Sequence, residues 1–159
     1  MVSMKGNVIV GQSGGPTAVI NSSLAGVYKT AKDRGARKVY GMLHGIQGLL
    51  DEQYIDLSTQ IHSELDIELL KRTPSAFLGS CRYKLPEIHE DKAIYEKIFE
   101  ILNRLDIDAF IYIGGNDSMD TVSKLSRYAA QTGSDIRILG EPKTIDNDLI
   151  HTDHTPGFG

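Results

Sequence analysis

The sequence predicts an α/β fold: an open, mainly parallel, Rossmann-like sheet flanked by helices, on one domain over residues 1–159. Two observations predict it. Short runs rich in β-branched and aromatic residues alternate with amphipathic stretches of helical period. Two of those runs then pass into paired glycines that lead into a helix, and a third passes into a charged loop.

Asn7–Val10 is an apolar run ending in glycine, as a buried parallel strand reads. Gly11–Thr17 follows as a glycine-rich turn, with Pro16 where a helix would begin. Val19, Ile20, Leu24, Val27 and Ala31 give that helix its apolar stripe, and the basic stretch 32–38 with Gly35 closes it. Val39–Leu43 reads as a second strand, and His44–Leu50 as a glycine-punctuated loop. His44 reads as polar surface. The stretch 51–70 is mixed, with helical bias from Glu64 to Leu70.

Arg72–Lys84 combines a turn, small residues and the cations Arg72, Arg82 and Lys84. Arg82 offers bidentate contacts to phosphate oxygens, the alternative being solvated rim charges. Cys81, without an activating partner nearby in sequence, reads as a packing residue. Pro86–Leu105 has the period of one amphipathic helix through Ile88, Ala93, Ile94, Ile98, Ile101, Leu102 and Leu105. Asp108–Ile113 is the clearest strand. It runs into Gly114-Gly115 and a helix from about Met119 to Gln131, with Asn116, Asp117 or Ser118 placed to cap the helix amides. Asp135–Leu139 is the last strand before Pro142–Asp148. His151 and His154 read as polar loop rather than a metal site.

Composition narrows the function classes. A net charge of −4 argues against nucleic-acid or anionic-membrane partners, so any bound anion must be caught by local amides and a few placed cations. No apolar run approaches the roughly 20 residues of a membrane span, and Met1–Gly6 has no signal-peptide core. The single cysteine excludes an internal disulfide and predicts a cytoplasmic protein.

The loop 142–148 places Lys143, Thr144, Asp146 and Asp148 beside one another. In extended backbone Thr144, Asp146 and Asp148 share a face, with Lys143 on the other. A hydroxyl, a carboxylate base and a cation at a strand's carboxyl end are the parts that move a phosphoryl group onto an alcohol. A solvated turn is the alternative. Loops that gather at the carboxyl ends of a parallel sheet form its ligand crevice, which favours a phosphate-handling site.

With these loops in view the chain resembles the amino-terminal part of a 6-phosphofructokinase, from about Asn7 to Gly159. The matching pieces are Ser13-Gly14-Gly15 with Asn21, the stretch 77–82, Ile113-Gly114-Gly115, and Thr144-Ile145-Asp146-Asn147-Asp148. The resemblance implies Asp146 as the base that takes the proton from the C1 hydroxyl of fructose 6-phosphate, with Thr144 beside it in the sugar-phosphate site. It implies a phosphoryl donor seated on Gly14, Gly15, Arg82, Gly114, Gly115, Asn116 and Ser118. Members that use ATP resemble the chain but carry glycine where it has Asp117 and Lys143; members that use diphosphate carry Asp and Lys. A carboxylate 4 Å from a nucleotide's α-phosphate repels it by roughly 4 kcal/mol at an effective dielectric of 20, on the order of a thousandfold. Lys143 would supply charge to the transferring group. The resemblance thus implies diphosphate as donor, catalytic roles for Asp146, Lys143 and Asp117, and Mg²⁺ near Asn116 and Asp148. Family members more often have aspartate at Asn116; an amide ligates Mg²⁺ without adding charge. Because such enzymes are longer and oligomeric, the chain is expected to be a donor-binding fragment, inactive alone and part of a homo-oligomer when complete.

Overall fold

The computed structural model describes residues 5–143. A five-stranded sheet in the order β3-β2-β1-β4-β5 forms its centre. The strands are β1 (Asn7–Gln12), β2 (Val39–Met42), β3 (Tyr54–Asp56), β4 (Ile107–Gly114) and β5 (Arg137–Pro142). All neighbours are parallel except β2 and β3. This is the open, mainly parallel α/β sheet that the alternating pattern predicts.

The period-two alternation of β1 divides the core. Ile9 packs with Met42, Phe110 and Tyr112 on one face, while Val8 and Val10 pack with Ala109 and Ile113 on the other. Helices α1 (Ile20–Asp33) and α3 (Glu64–Arg72) cover the second face. Helices α2 (Gly45–Leu50), α4 (Lys92–Arg104) and α5 (Asn116–Thr132) cover the first. Strand β5 is a largely exposed edge, with Leu139 half in solvent.

Three sequence expectations are corrected. The stretch 44–50 is not a loop: Ile46, Leu49 and Leu50 bury against the core and make it a short helix. Its glycines serve close packing, since a Cβ on Gly45 would lie 2.6 Å from the Tyr112 hydroxyl and one on Gly48 would strike the Leu43 carbonyl. The helix expected from Pro86 begins only at Lys92, capped by Asp91, whose carboxylate accepts from the Ile94 N–H at 3.3 Å. Tertiary bonds claim the backbone before it: the Lys124 ammonium donates to the Leu85 carbonyl at 2.9 Å, and the Tyr95 hydroxyl to that of Pro86 at 2.6 Å. The helix placed after Pro16 starts at Ile20, leaving Ser13–Val19 as a loop. Strand β3 is an addition that the mixed stretch concealed.

No helix among the described residues is long and apolar enough to cross a membrane.

Candidate active site

Strand β1 has its crossover neighbour β2 on one side and β4 on the other, so connections leave its carboxyl end in opposite directions. A parallel sheet opens a crevice at such a switch point. Here it is a cavity of about 550 Å³ lined by Ser13–Thr17, Cys81–Lys84, Gly115–Ser118 and Lys143. Three cations (Arg82, Lys84, Lys143) and one carboxylate (Asp117) line it. A larger hollow of about 700 Å³ opens at the other end of β4 and is lined by Glu96, Glu100, Asp108 and Asp135, with no lysine or arginine. That hollow repels anions, so the smaller cavity is the candidate site.

The loop after β1 is held by groups from elsewhere. The Ser13 N–H donates to the Ile113 carbonyl at 2.9 Å, tying the two turns together. Gly14 stands at φ +75°, open to glycine at little cost. The Ser80 hydroxyl donates to the Gly14 carbonyl at 2.5 Å, and the Lys143 ammonium donates to that of Gly15. Both carbonyls are thereby engaged away from an incoming anion, while among the described residues the Gly14 and Gly15 N–H groups have no protein acceptor. The Thr17 hydroxyl, buried at the cavity, also lacks a partner among the described residues. Because α1 starts at Ile20, loop amides line this side of the cavity, and the α1 terminus that the sequence suggested does not.

The turn after β4 is a helix start. Gly115 is the extended residue before α5, and no side chain caps it, so the expected capping by Asn116, Asp117 or Ser118 is not formed. The α5 amino end therefore keeps its donors toward the cavity. Ser118 is buried, whereas Asn116 and Asp117 are exposed at the rim. Asp117 lies in the first turn of α5, where its charge complements the helix dipole and competes there with an incoming anion.

Lys143 joins the two turns. Its backbone N–H donates to the Gly114 carbonyl at 2.8 Å, its ammonium reaches Gly15, and it is only 2% exposed. Beneath the cavity the Tyr112 hydroxyl accepts from the Ile46 N–H at 3.3 Å and lies 3.7 Å from the Cys81 sulfur. Burial, and next the Cys81 thiol, push the Tyr112 phenol well above its usual range.

Gly14, Gly15, Arg82, Gly115, Asn116, Asp117, Ser118 and Lys143 thus meet at one cavity, with Gly114 immediately behind it. Thr144, Asp146 and Asp148 lie outside the described residues. His44 does not line the cavity; it is exposed, and its ring packs where a Gly79 side chain would stand. Ser13, Thr17 and Ser80 were missed as site residues. Only the closeness of Ser80 to Arg82 in the chain hinted at a role. No cluster of three metal-ligating side chains occurs among the described residues.

Residues 7–159 match the family model described as Phosphofructokinase. The chain belongs to the phosphofructokinase family. It is 46% identical over 155 residues to a pyrophosphate–fructose 6-phosphate 1-phosphotransferase of Rhodospirillum rubrum, covering 97% of this chain and 37% of that protein. The corresponding enzyme of Xanthomonas campestris pv. campestris is 47% identical, with 97% of this chain and 36% of that protein covered. The crystal structure of a pyrophosphate-dependent phosphofructokinase from Nitrosospira multiformis superposes with a TM-score of 0.85 at 42% identity, covering 96% of this chain and 37% of that one. The chain therefore spans little more than a third of the length of these relatives, and it shares their fold.

Proposed function

We propose that this chain is the phosphoryl-donor half-site of a diphosphate-dependent 6-phosphofructokinase, which moves a phosphoryl group from diphosphate to the C1 hydroxyl of fructose 6-phosphate. One observation carries the choice of donor: Asp117 stands in the first turn of α5, at the cavity rim. A third phosphate with its nucleoside would have to pass this carboxylate, whereas diphosphate ends short of it. Asp117 is exposed, so water screens the repulsion. The penalty then falls between about 1 and 4 kcal/mol, or about fivefold to a thousandfold, lower at one end than the sequence estimate.

In this reading the free Gly14 and Gly15 amides and the α5 amino end seat the diphosphate. Arg82 and Lys84 neutralise it from the opposite wall, and Lys143 supplies charge beside the transferring group. Asp146, ionised at neutral pH, takes the C1 proton as the new bond forms, and Thr144 orients the sugar. Mg²⁺ is bound by one or two carboxylates together with phosphate oxygens. An exposed Asn116 at the cavity suits a cation that arrives on diphosphate, with Asp148 as the further ligand; bound there, it would neutralise phosphoryl charge. We place the enzyme in the cytoplasm as a homo-oligomer.

Calorimetric titration with diphosphate and with ATP tests the donor assignment. The protein should prefer diphosphate, and the double variant Asp117→Gly, Lys143→Gly should shift toward ATP. Unchanged preference in that variant rejects the assignment. In the protein extended to the length of its relatives, Asp146→Asn should lower turnover by several decades with little change in substrate binding. A non-catalytic phosphate-binding subunit would keep its rate at zero in both forms.

A further inference from the structure

Between α3 and α4 the chain crosses the cavity wall from Thr73 to Asp91 with no helix or strand of its own. This strap carries Arg82 and Lys84, both exposed, yet its backbone is fixed at three places by side chains from other elements. At the front, Asn21, only 1% exposed, donates to the Thr73 and Ser75 carbonyls at 2.8 Å each and accepts from the Phe77 N–H at 2.9 Å. Gln12 accepts from the Leu78 N–H at 2.8 Å. In the middle, Ser80 holds Gly14, and the Ser13 hydroxyl donates to the Cys81 carbonyl at 3.2 Å.

At the rear, the Tyr95 hydroxyl of α4 holds the Pro86 carbonyl at 2.6 Å, and Lys124 on α5 holds the residue before it. Its ammonium donates to the Leu85 carbonyl at 2.9 Å and pairs with Asp120 at 2.7 Å and Glu87 at 3.1 Å. Its side chain is 4% exposed, a degree of burial lysine rarely shows unless fully paired. Three ammonium hydrogens match three acceptors. Only residues 82–84 lie between the Cys81 and Leu85 ties, and these are the residues that face the cavity. Lys124 also lies seven positions after Asp117, about two helical turns and roughly 10 Å along α5. One rigid helix thus sets both the donor-facing turn and the far end of the cationic strap.

We propose that Lys124, outside the cavity, is a positioning residue that sets where Arg82 and Lys84 stand over bound diphosphate, an inference that rests on the donor reading above. Methionine at this position keeps the length of the side chain and loses every donor. The Leu85 carbonyl then loses its donor while Tyr95 still holds Pro86, so the loosening falls on residues 82–85 and the cations lose their fixed approach. Arginine keeps the charge, but its planar fork does not reproduce three divergent bonds, so it should restore binding only in part.

The experiment is a cycle of inorganic diphosphate titrations on the protein, Lys124→Met, Arg82→Ala with Lys84→Ala, and the combination of all three. Lys124→Met should weaken binding by about tenfold, and in the background lacking both cations it should have no further effect. Equal effects in both backgrounds overturn the proposal, because a general loss of stability does not depend on Arg82 and Lys84. Limited trypsin digestion gives a readout independent of ligand: cleavage after the exposed Arg82 and Lys84 should be faster in Lys124→Met while cleavage within α4 and α5 holds. Unchanged cleavage after Arg82 and Lys84, or a uniform rise across the molecule, also overturns it. If the unaltered protein binds no diphosphate, the donor reading fails and the cleavage result alone decides the role of Lys124.

Discussion

After β4 the chain enters α5 at once, whereas after β1 it passes through Ser13–Val19 before α1 begins. Both junctions carry a glycine pair, and both border the same cavity. The α5 junction is tied to its neighbours through the backbone, by the Lys143 N–H on the Gly114 carbonyl and the Ser13 N–H on that of Ile113, but its donors come from the helix start itself. The β1 junction is a loop whose shape is imposed by Ser80, Lys143 and the strap that Asn21 and Gln12 hold down. Similar glycine signatures therefore produce two different anion seats, one local in origin and one assembled from distant parts.

The largest test of this contrast is Asn21→Ala. It strands the Thr73 and Ser75 carbonyls and the Phe77 N–H, and removes one of two acceptors of the Gln12 amide, which keeps the Ile20 carbonyl at 3.1 Å. Denaturant unfolding should show a loss of about 4 kcal/mol, since each buried group left unpaired costs about 1–3 kcal/mol and part is recovered by water. A loss below about 1 kcal/mol would mean that the β1 loop does not depend on its distant supports.

Gly114→Ala attacks the other junction. The added Cβ would lie 2.5 Å from the Ser118 Cβ and 3.1 Å from the Ser13 carbonyl oxygen, so the first turn of α5 must shift. Overpacking of this kind should cost about 2–3 kcal/mol in the same measurement.

Alkaline pH probes the brace under the β1 loop. In the unfolded chain the Tyr112 phenol ionises near pH ~10, whereas in the folded protein burial holds it protonated to higher pH. Its contribution is therefore complete below about pH 10 and is lost as pH rises beyond it, at about 1.4 kcal/mol per unit. Lys124, held charged mainly by its hydrogen bond to Asp120 despite burial, loses its contribution in the same direction above its usual value. Tyr112→Phe should accordingly reduce, without abolishing, the fall in Tm between pH 9.5 and 11. An unchanged slope would remove Tyr112 from the account.

The smallest expected effects separate two neighbouring glycines. Gly14→Ala forces an alanine to φ +75° and should cost about 1–2 kcal/mol. At Gly15 an added Cβ meets nothing within 4 Å, so Gly15→Ala should stay within about 0.5 kcal/mol. Equal melting temperatures for the two variants would contradict the left-handed turn at Gly14.

What was legible in the sequence follows the same division. Strands β1, β2, β4 and β5, the amphipathic α1 and α5, and both glycine turns carry local signals, and all stand within a few residues of expectation. The gathering of Gly14, Gly15, Asn116, Asp117 and Lys143 followed from topology, because parallel strands deliver their loops to one end; Arg82, on the strap between two helices, was placed only by the resemblance. Features set by tertiary bonds were not legible. Nothing in the local pattern announces that Lys124 and Tyr95 would draw Leu85 and Pro86 out of a helix, or that Ile46, Leu49 and Leu50 would make one around two glycines. Strand β3, three residues long and only partly buried, has too little pattern to declare itself.

The bond from Lys143 to Gly15 closes a loop of chain 128 residues long. Closure entropy grows only slowly with length, so such a span costs little more than one half as long. The bond ties the first turn of the fold to the last described residue. The β1 seat is therefore not encoded in any one contiguous stretch: a piece of chain ending before β5 keeps β1 and α1 but leaves the Gly15 carbonyl without its lysine.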